Sequence, residues 1–534
     1  KYILGDSLYY AAMQHYFDKW KLKHVNENRF INSFEEYVDQ DLNWFFDPWL
    51  HTTRKLDYAI SNFKTTKNKE DSWDVELGIN NLGNRFMPIK IKTYFRDGTA
   101  DTIWWDRHLW RFQDTLRYTT GKQPVKVVMD PEVQTLDMDL RNNSTKMKKT
   151  ILFDWPGIWY NPRDEMVYWW SPNFYFNSDD SDFAPGLNIK KKYGPYESTT
   201  FRANYALNSK EIYWYLSGWR QSVHHLPRTK FYFWAFNRPG VKEYGAEIEK
   251  KWNRVYGRTP THTFKSGFYV QPEYDMNRAE PLGFESGRIA VGYGSWSAGQ
   301  GSVSVDVNAA TAIAPYSEWN FNRLTGTATF KFKKVLGFES KKRPDLNRNF
   351  IVNVRERIVA GKIWTDNRGV PGQEGYNIEG NSSNEMLRKN YLLDQFYGNE
   401  NLFSHYHLPG EGNLRGFVGR GERGAEALFS STTELSLFKN IAKEDQDPID
   451  LEFVTFIDGG IFFNRYNKIV RERDPSIIHY KSRTLADAGI GIRLNTELYE
   501  RDIYLRLDFP FYIYDGNVSN ISVNNWVFSF QRSI

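Results

Sequence analysis

The sequence predicts a mainly β protein: a 16-stranded transmembrane β-barrel preceded by a helical segment and a small β-sandwich. Three observations carry that reading. Aromatic residues reach 17%, with 19 Trp, 33 Tyr and 38 Phe. That density suits strands, and it suits membrane interfaces, where a ring sits half in water. From residue 56 onward the apolar pattern has period two rather than 3.6. Mean hydropathy is −0.65, and no run of about 18 apolar residues occurs. A transmembrane helix is thereby excluded, but a barrel is not, because its strands hide apolar character in alternation.

The totals bound the rest. At about 100–200 residues per domain, 534 residues mean several domains or one large architecture with additions. Lys and Arg number 70 and Asp and Glu 65, a net +5 spread along the chain. Basic residues are not interleaved with aromatics, so no nucleic-acid partner is expected. The absence of cysteine excludes disulfides and thiolate metal sites. The opening "KYILGDSLYY" shows no signal pattern and reads as part of a longer protein.

The elements follow in order. Residues 6–23 read as a helix, with Asp6 or Ser7 as cap and Leu8, Ala12, Tyr16 and Trp20 along one face. A second helix is expected to start near Asn32 or Ser33. A third piece, 41–53, is interrupted near Pro48. "WDVELGINNLGNRFMPIKIKTYFRDG" (73–98) gives two strands around an Asn-Gly-rich turn, and 124–139 gives another. Short strands at this spacing indicate a sandwich. The expected organisation is a helical segment 1–58, a sandwich 59–145, a linker 146–160 and a barrel 161–534.

Within the barrel, alternation is explicit. Ala488, Ile490, Ile492 and Leu494 oppose Asp487, Gly489, Gly491 and Arg493. Ile503, Leu505, Leu507 and Phe509 oppose Asp502, Tyr504, Arg506 and Asp508. Ala328, Phe330 and Phe332 oppose Thr329, Lys331 and Lys333. Consecutive hairpins without helices favour closure, which leaves no sticky edge. Apolar outside and charged inside is the membrane-barrel pattern. Tyr160, Trp159, Tyr168, Trp169 and Trp170, with Tyr213, Trp214 and Trp219, are expected in an interfacial girdle.

Residues 364–424 break the pattern. Loops above about 12–15 residues are usually functional or disordered. This one holds "LPGEGNLRGF", with Arg415, Gly416 and Phe417 in it. An arginine buried in a lumen needs a carboxylate. "FIDGG" (456–460) offers Asp458, opposite Ile457 and Ile461 and on the face of Gly460. Val454 and Phe456 fall on that same face, so the alternation there is imperfect.

"LRGF" at 414–417, "FIDGG" two strands on, and the run "GIGIRLNT…IYLRLDFPF…WVFSFQRSI" resemble the outer-membrane assembly-factor superfamily, which includes the BamA and TamA barrels and the two-partner secretion transporters. The resemblance implies a loop folded back into the barrel and an Arg415–Asp458 pair. It also implies outer-membrane lipid and assembly or export proteins as partners, and a bacterial outer-membrane location with the N-terminal domains in the periplasm. Gln531 departs from it, standing near where the terminal strand signal often has Gly. Residues 9–60, and most specifically "DLNWFFDPWLHTT…LDY", are similar to the end of the catalytic domain of zinc aminopeptidases of the gluzincin (aminopeptidase N) type. "MDPEVQTLDMDLRNN" (129–143) resembles the β-domain attached to bacterial members. That likeness implies a metallopeptidase parent with a peptide substrate, and zinc held upstream of Lys1. No H-E-x-x-H occurs, so no zinc ligand or catalytic residue is assigned in this chain. The alternative is a non-catalytic scaffold or accessory subunit in outer-membrane protein assembly or export.

Other motifs read as structural. "GRGERG" (419–424) lacks the strand-to-helix setting of a phosphate loop. "SHYH" (404–407) and the His224–His225 pair lack further metal ligands. "NSDDSDF" (177–183) reads as a hairpin tip.

Overall fold

The structure is a computed structural model. It describes every residue except 107–111, 156–159, 178–181, 223–225, 239–240, 253–259, 273–286, 339–347, 367–368, 372, 381–406, 408–409, 419–424, 441–448, 467–478, 499–500, 523–524 and 530–534. Trp159, the acidic tip at 178–181, His224, His225, His405, "GRGERG" and Gln531 therefore lie outside the described residues, as does much of 364–424.

Three helices open the chain: α1 (Asp6–Trp20), α2 (Glu27–Val38) and α3 (Asn43–Leu50). Ala12, on the apolar face of α1, is buried with Phe34 and Leu42. The second helix starts earlier than Asn32–Ser33. Asn26 caps it, its side-chain oxygen accepting the Arg29 N–H at 3.0 Å, and that bond satisfies a donor the first turn leaves orphaned. Ser33 lies inside α2, where its hydroxyl donates to the Arg29 carbonyl and accepts the Trp20 indole N–H.

Two three-stranded sheets follow, built from β1 (Tyr58–Lys67), β2 (Trp73–Asn81), β3 (Ile89–Phe95), β4 (Ala100–Trp105), β5 (Gln113–Thr120) and β6 (Pro124–Met129). Their orders are β1-β2-β5 and β4-β3-β6. Tyr58, Leu77 and Ile79 of one sheet meet Ile89, Ile91, Val127 and Met129 of the other in one core. The Asn-Gly-rich turn between β2 and β3 thus crosses between sheets instead of closing a hairpin. Arg85, on that connection, reaches the helices: it stacks over Trp49 at 3.6 Å and donates to the Pro48 carbonyl. Beneath the sheets, burial and then the neighbouring Asp137 charge push the Asp57 carboxyl up to about 8.

The remaining strands form one barrel-ordered sheet. They are β7 (Lys148–Phe153), β8 (Glu165–Asn177), β9 (Asp182–Tyr193), β10 (Glu197–Tyr205), β11 (Ile212–Ser222), β12 (Thr229–Arg238), β13 (Val241–Trp252), β14 (Thr261–Gln271), β15 (Ile289–Gln300), β16 (Val303–Ala312), β17 (Phe321–Phe338), β18 (Arg348–Thr365), β19 (Ala427–Asn440), β20 (Ile449–Tyr466), β21 (His479–Leu498), β22 (Arg501–Tyr514), β23 (Ser519–Ile521) and β24 (Val527–Ser529). From β8 to β22 each strand pairs antiparallel with the next, as in β17–β18 and β20–β21. The count differs from sixteen because two short segments join the sheet. One is β23. The other is β7, which lies inside 146–160 and runs parallel to β8.

Alternation sorts the faces. On β20, Phe453, Ile457 and Ile461 are exposed outside, while Glu452 and Asp458 are buried inside. Phe231 and Phe233 on β12, Phe330 and Phe332 on β17, and Ile490 and Ile492 on β21 are exposed in the same way. The same rule splits the expected girdle: Trp170 points out at 43% exposure, whereas Trp169 and Tyr213 are buried. Consecutive residues on a strand cannot share a face.

Candidate functional site

The residues 411–418 enter the lumen and put Arg415 at its centre. Asn413 takes a left-handed backbone conformation (φ 59°), and a single 3-10 turn, Arg415–Phe417, follows. That turn places three successive residues against three different surfaces.

Arg415 is fully buried. Its Nε and Nη2 donate to the two oxygens of Asp458 on β20 at 2.7 and 2.9 Å. Its Nη1 donates to Glu434 on β19 at 2.9 Å and to Asp508 on β22 at 3.0 Å. The planar guanidinium is the one side chain whose fork can serve several carboxylates at once, and it keeps its charge when buried. Its flat face lies 3.6 Å from the Phe456 ring centroid, a favourable cation–π placement. The breaks in alternation at Val454 and Phe456 thus have a cause: both are buried on the inner face of β20, and Phe456 is the floor beneath Arg415.

The carboxylates around Arg415 hold further cations. Glu434 also accepts from Arg493 Nη1 at 3.0 Å, and Glu452 pairs with Arg355 at 2.8 Å. Arg506 Nε lies 3.3 Å from Asp508. Arg415 from the loop and Arg355, Arg493 and Arg506 from the wall thus interleave with Glu434, Glu452, Asp458 and Asp508 between β18 and β22, and the buried Asp487 lies beside them. A buried charge unaccompanied by its partner costs several kcal/mol, so such a set is stable only when complete. Beside it, a cavity of about 350 Å³ is lined by Lys331, Lys333, Arg355, Asp450, Glu452 and Arg493.

Gly416 lies against β21 and β22. A Cβ there would stand 2.8 Å from the Asp487 Cβ and 3.0 Å from Ile513 Cγ1, so glycine is required by the approach. Phe417 is buried in an apolar cluster with Leu414, Tyr376, Phe462, Leu485 and Ile513. Gly460 makes room as well: a Cβ there would meet the Phe429 carbonyl and the Phe462 ring at 2.9 Å.

A second hold fixes the loop on β14 and β17. Tyr376 exchanges backbone bonds with Ala425, and its hydroxyl lies 2.9 Å from Thr325 Oγ1. Glu411 pairs with Arg323, and Tyr269 donates to Glu374. His407, from the "SHYH" stretch, is bound to the barrel. Its N–H donates to the Phe528 carbonyl at 2.9 Å, and its Nδ1 faces Arg506.

The structure sets Arg415 on Asp458, packs Gly416 against β21 and β22 and Phe417 into the adjoining apolar cluster, and places Gly460 beside Phe462 of that cluster. The single pair implied by the resemblance is one part of a larger network. Sequence reading missed Glu434, Arg355, Tyr376 and Glu411 as partners. Arg506 and Asp508 stood on a polar strand face, but nothing in spacing says which polar residues on different strands meet.

No family model matches this chain, and no curated protein matches it. Among solved structures, the crystal structure of BamA from Haemophilus ducreyi lacking POTRA domains 1-3 is similar over 98% of this chain and 97% of that one, at 11% identity and a TM-score of 0.36. At that similarity the clasp rests on its own geometry.

Proposed function

We propose that this chain is a bacterial outer-membrane β-barrel whose lumen holds the segment 410–418, with the N-terminal helices and sandwich in the periplasm, and that it serves assembly or export of outer-membrane proteins. The observation that carries the reading is the sorting of faces. Exposed Phe, Ile and Leu side chains ring the outside, and a compensated arginine–carboxylate set fills the inside. A face of that kind needs an apolar solvent, and backbone groups paired strand to strand are what a bilayer tolerates. Loop residues held on β14 and β17 as well as on β19, β20 and β22 suit a closed barrel better than a free pore. Planar-bilayer recording tests this: the intact chain should show no steady conductance, and deletion of 364–424 should open it. Steady conductance with the loop intact would overturn the closed-barrel reading.

A second reading, a membrane-anchored zinc metallopeptidase, rests on the likeness of residues 9–60 and 129–143 to gluzincin aminopeptidases. The stretch that carries the likeness, Pro48 and Trp49, is seated on the sandwich through Arg85, so helices and sandwich behave as one unit. The zinc would be held upstream of Lys1. Chelator-sensitive aminopeptidase turnover in a longer chain that includes the preceding residues would support this reading; a preceding sequence without H-E-x-x-H would end it.

A further inference from the structure

Strand β7 does more than join two parts of the chain. It pairs with β8 in parallel, with Ile151 opposite Tyr168 and Phe153 opposite Trp170. Alternation then divides its side chains. Thr150 donates to Glu165 at 2.6 Å, and Lys148 pairs with the same carboxylate, so these two face the β8 side that carries Glu165. Lys149, Ile151 and Phe153 fall on the other side, which is the outer side of Trp170. There the rings group. Phe153 meets Trp170 edge-on at 4.9 Å and stacks on Trp155 at 6.0 Å. The cluster stays open to the surroundings: Ile151 is 73% exposed and Trp155 60%. Lys146 and Lys149 are exposed just before it. On the neighbouring rim, Arg141 of the sandwich segment reaches Glu197 on β10, which puts β7 at the end of the barrel nearest the N-terminal module.

We infer that β7 and the Phe153–Trp155–Trp170 cluster form a membrane-interface anchor, with Lys146 and Lys149 meeting anionic phospholipid headgroups. The inference rests on the proposal that the barrel's outer face meets lipid, and it assigns a role to a segment that proposal leaves idle. The patch is continuous with that outer face through Trp170. Tryptophan prefers the headgroup level, where its ring is buried and its N–H is wet. Lysines beside such a patch are attracted to anionic lipid. The occupant is thus the lipid surface at the rim, and the effect is to hold the N-terminal module close to the bilayer at the seam of the barrel.

The chain contains no cysteine, so single probes are clean. Ile151→Cys and Ile457→Cys, each carrying an environment-sensitive fluorophore, would be placed in vesicles of neutral or part-anionic phospholipid with quenchers at headgroup or mid-chain depth. The expected result is strong headgroup-level quenching at 151, deeper quenching at 457, and loss of most of the 151 signal in Lys146→Glu/Lys149→Glu with 457 unchanged. A probe at 151 in water with 457 in lipid would overturn the anchor and leave the barrel reading standing. Both probes in water would overturn the barrel reading and the anchor with it. Headgroup quenching at 151 that ignores the charge reversal and the lipid charge would overturn the anionic-headgroup assignment.

Discussion

Replacing Arg415 with alanine removes one guanidinium and leaves Asp458, Glu434 and Asp508 without it. All three are fully buried carboxylates. Arg493 still serves Glu434, and Arg506 still lies beside Asp508. Asp458, by contrast, has both oxygens bonded to Arg415, so the damage concentrates there. Breaking a buried ion pair from one side costs about 3–5 kcal/mol. Arg415→Ala should destabilise the folded barrel by that order, read as a lower urea midpoint in micelles and a lower temperature at which the compact band on gels is lost. Arg415→Lys keeps charge but not the fork, and should fall between. Adding Asp458→Asn to Arg415→Ala should restore part of the loss, with a coupling of ~0.5–3 kcal/mol. An unchanged midpoint in Arg415→Ala, or additive single changes, would refute the argument that this pair locks loop to wall.

Other consequences follow from particular contacts. Gly416→Ala should cost about 1–3 kcal/mol by overpacking, because the new methyl meets Asp487 and Ile513; loss of loop protection in limited proteolysis measures it. Ile457→Arg, at a 64% exposed outward position, should cost up to about 4 kcal/mol as a charge on a lipid-facing side, whereas Asn308→Arg, lining a lumenal cavity, should cost little; equal costs in an unfolding titration would deny the inside–outside assignment. The carboxyl of Asp57, raised to about 8 by burial and by Asp137, holds its proton more tightly folded than unfolded. The stability it contributes is present below about pH 4 and is lost as pH rises through about 8. Thermal unfolding of the N-terminal module should therefore move down from pH 5 to 8.5, less so in Asp57→Asn, and an upward move would contradict the sign. The 534-residue chain itself should show no chelator-sensitive peptidase turnover, and measured turnover would overturn the assignment of zinc chemistry to residues upstream of Lys1.

Much of the barrel was readable because its signal is local. Period-two alternation is a property of a few adjacent residues, and Ile490, Ile492 and Leu494 declare an outer face without knowledge of their neighbours. The short segments β7 and β23 were not readable, since six or three residues give too little alternation, and β7 joins the sheet in parallel across a connection rather than through a hairpin. The start of α2 was missed for a related reason: Asn26 and Ser33 are both credible caps, and only the bond to Arg29 distinguishes them. In the clasp, Arg415 and Asp458 stood out through glycine-flanked loop chemistry and a carboxylate on an inner face. Glu434 did not, because its meeting with Arg415 depends on the stagger of β19 against β20, where Thr432, two residues earlier, is the partner of Asp458.

A membrane barrel requires its outward apolar side chains to face an apolar solvent. Analytical ultracentrifugation of the purified chain with and without detergent tests this most directly. The prediction is a monomer in micelles and rapid association once detergent is removed. A soluble, folded monomer in detergent-free buffer would contradict it.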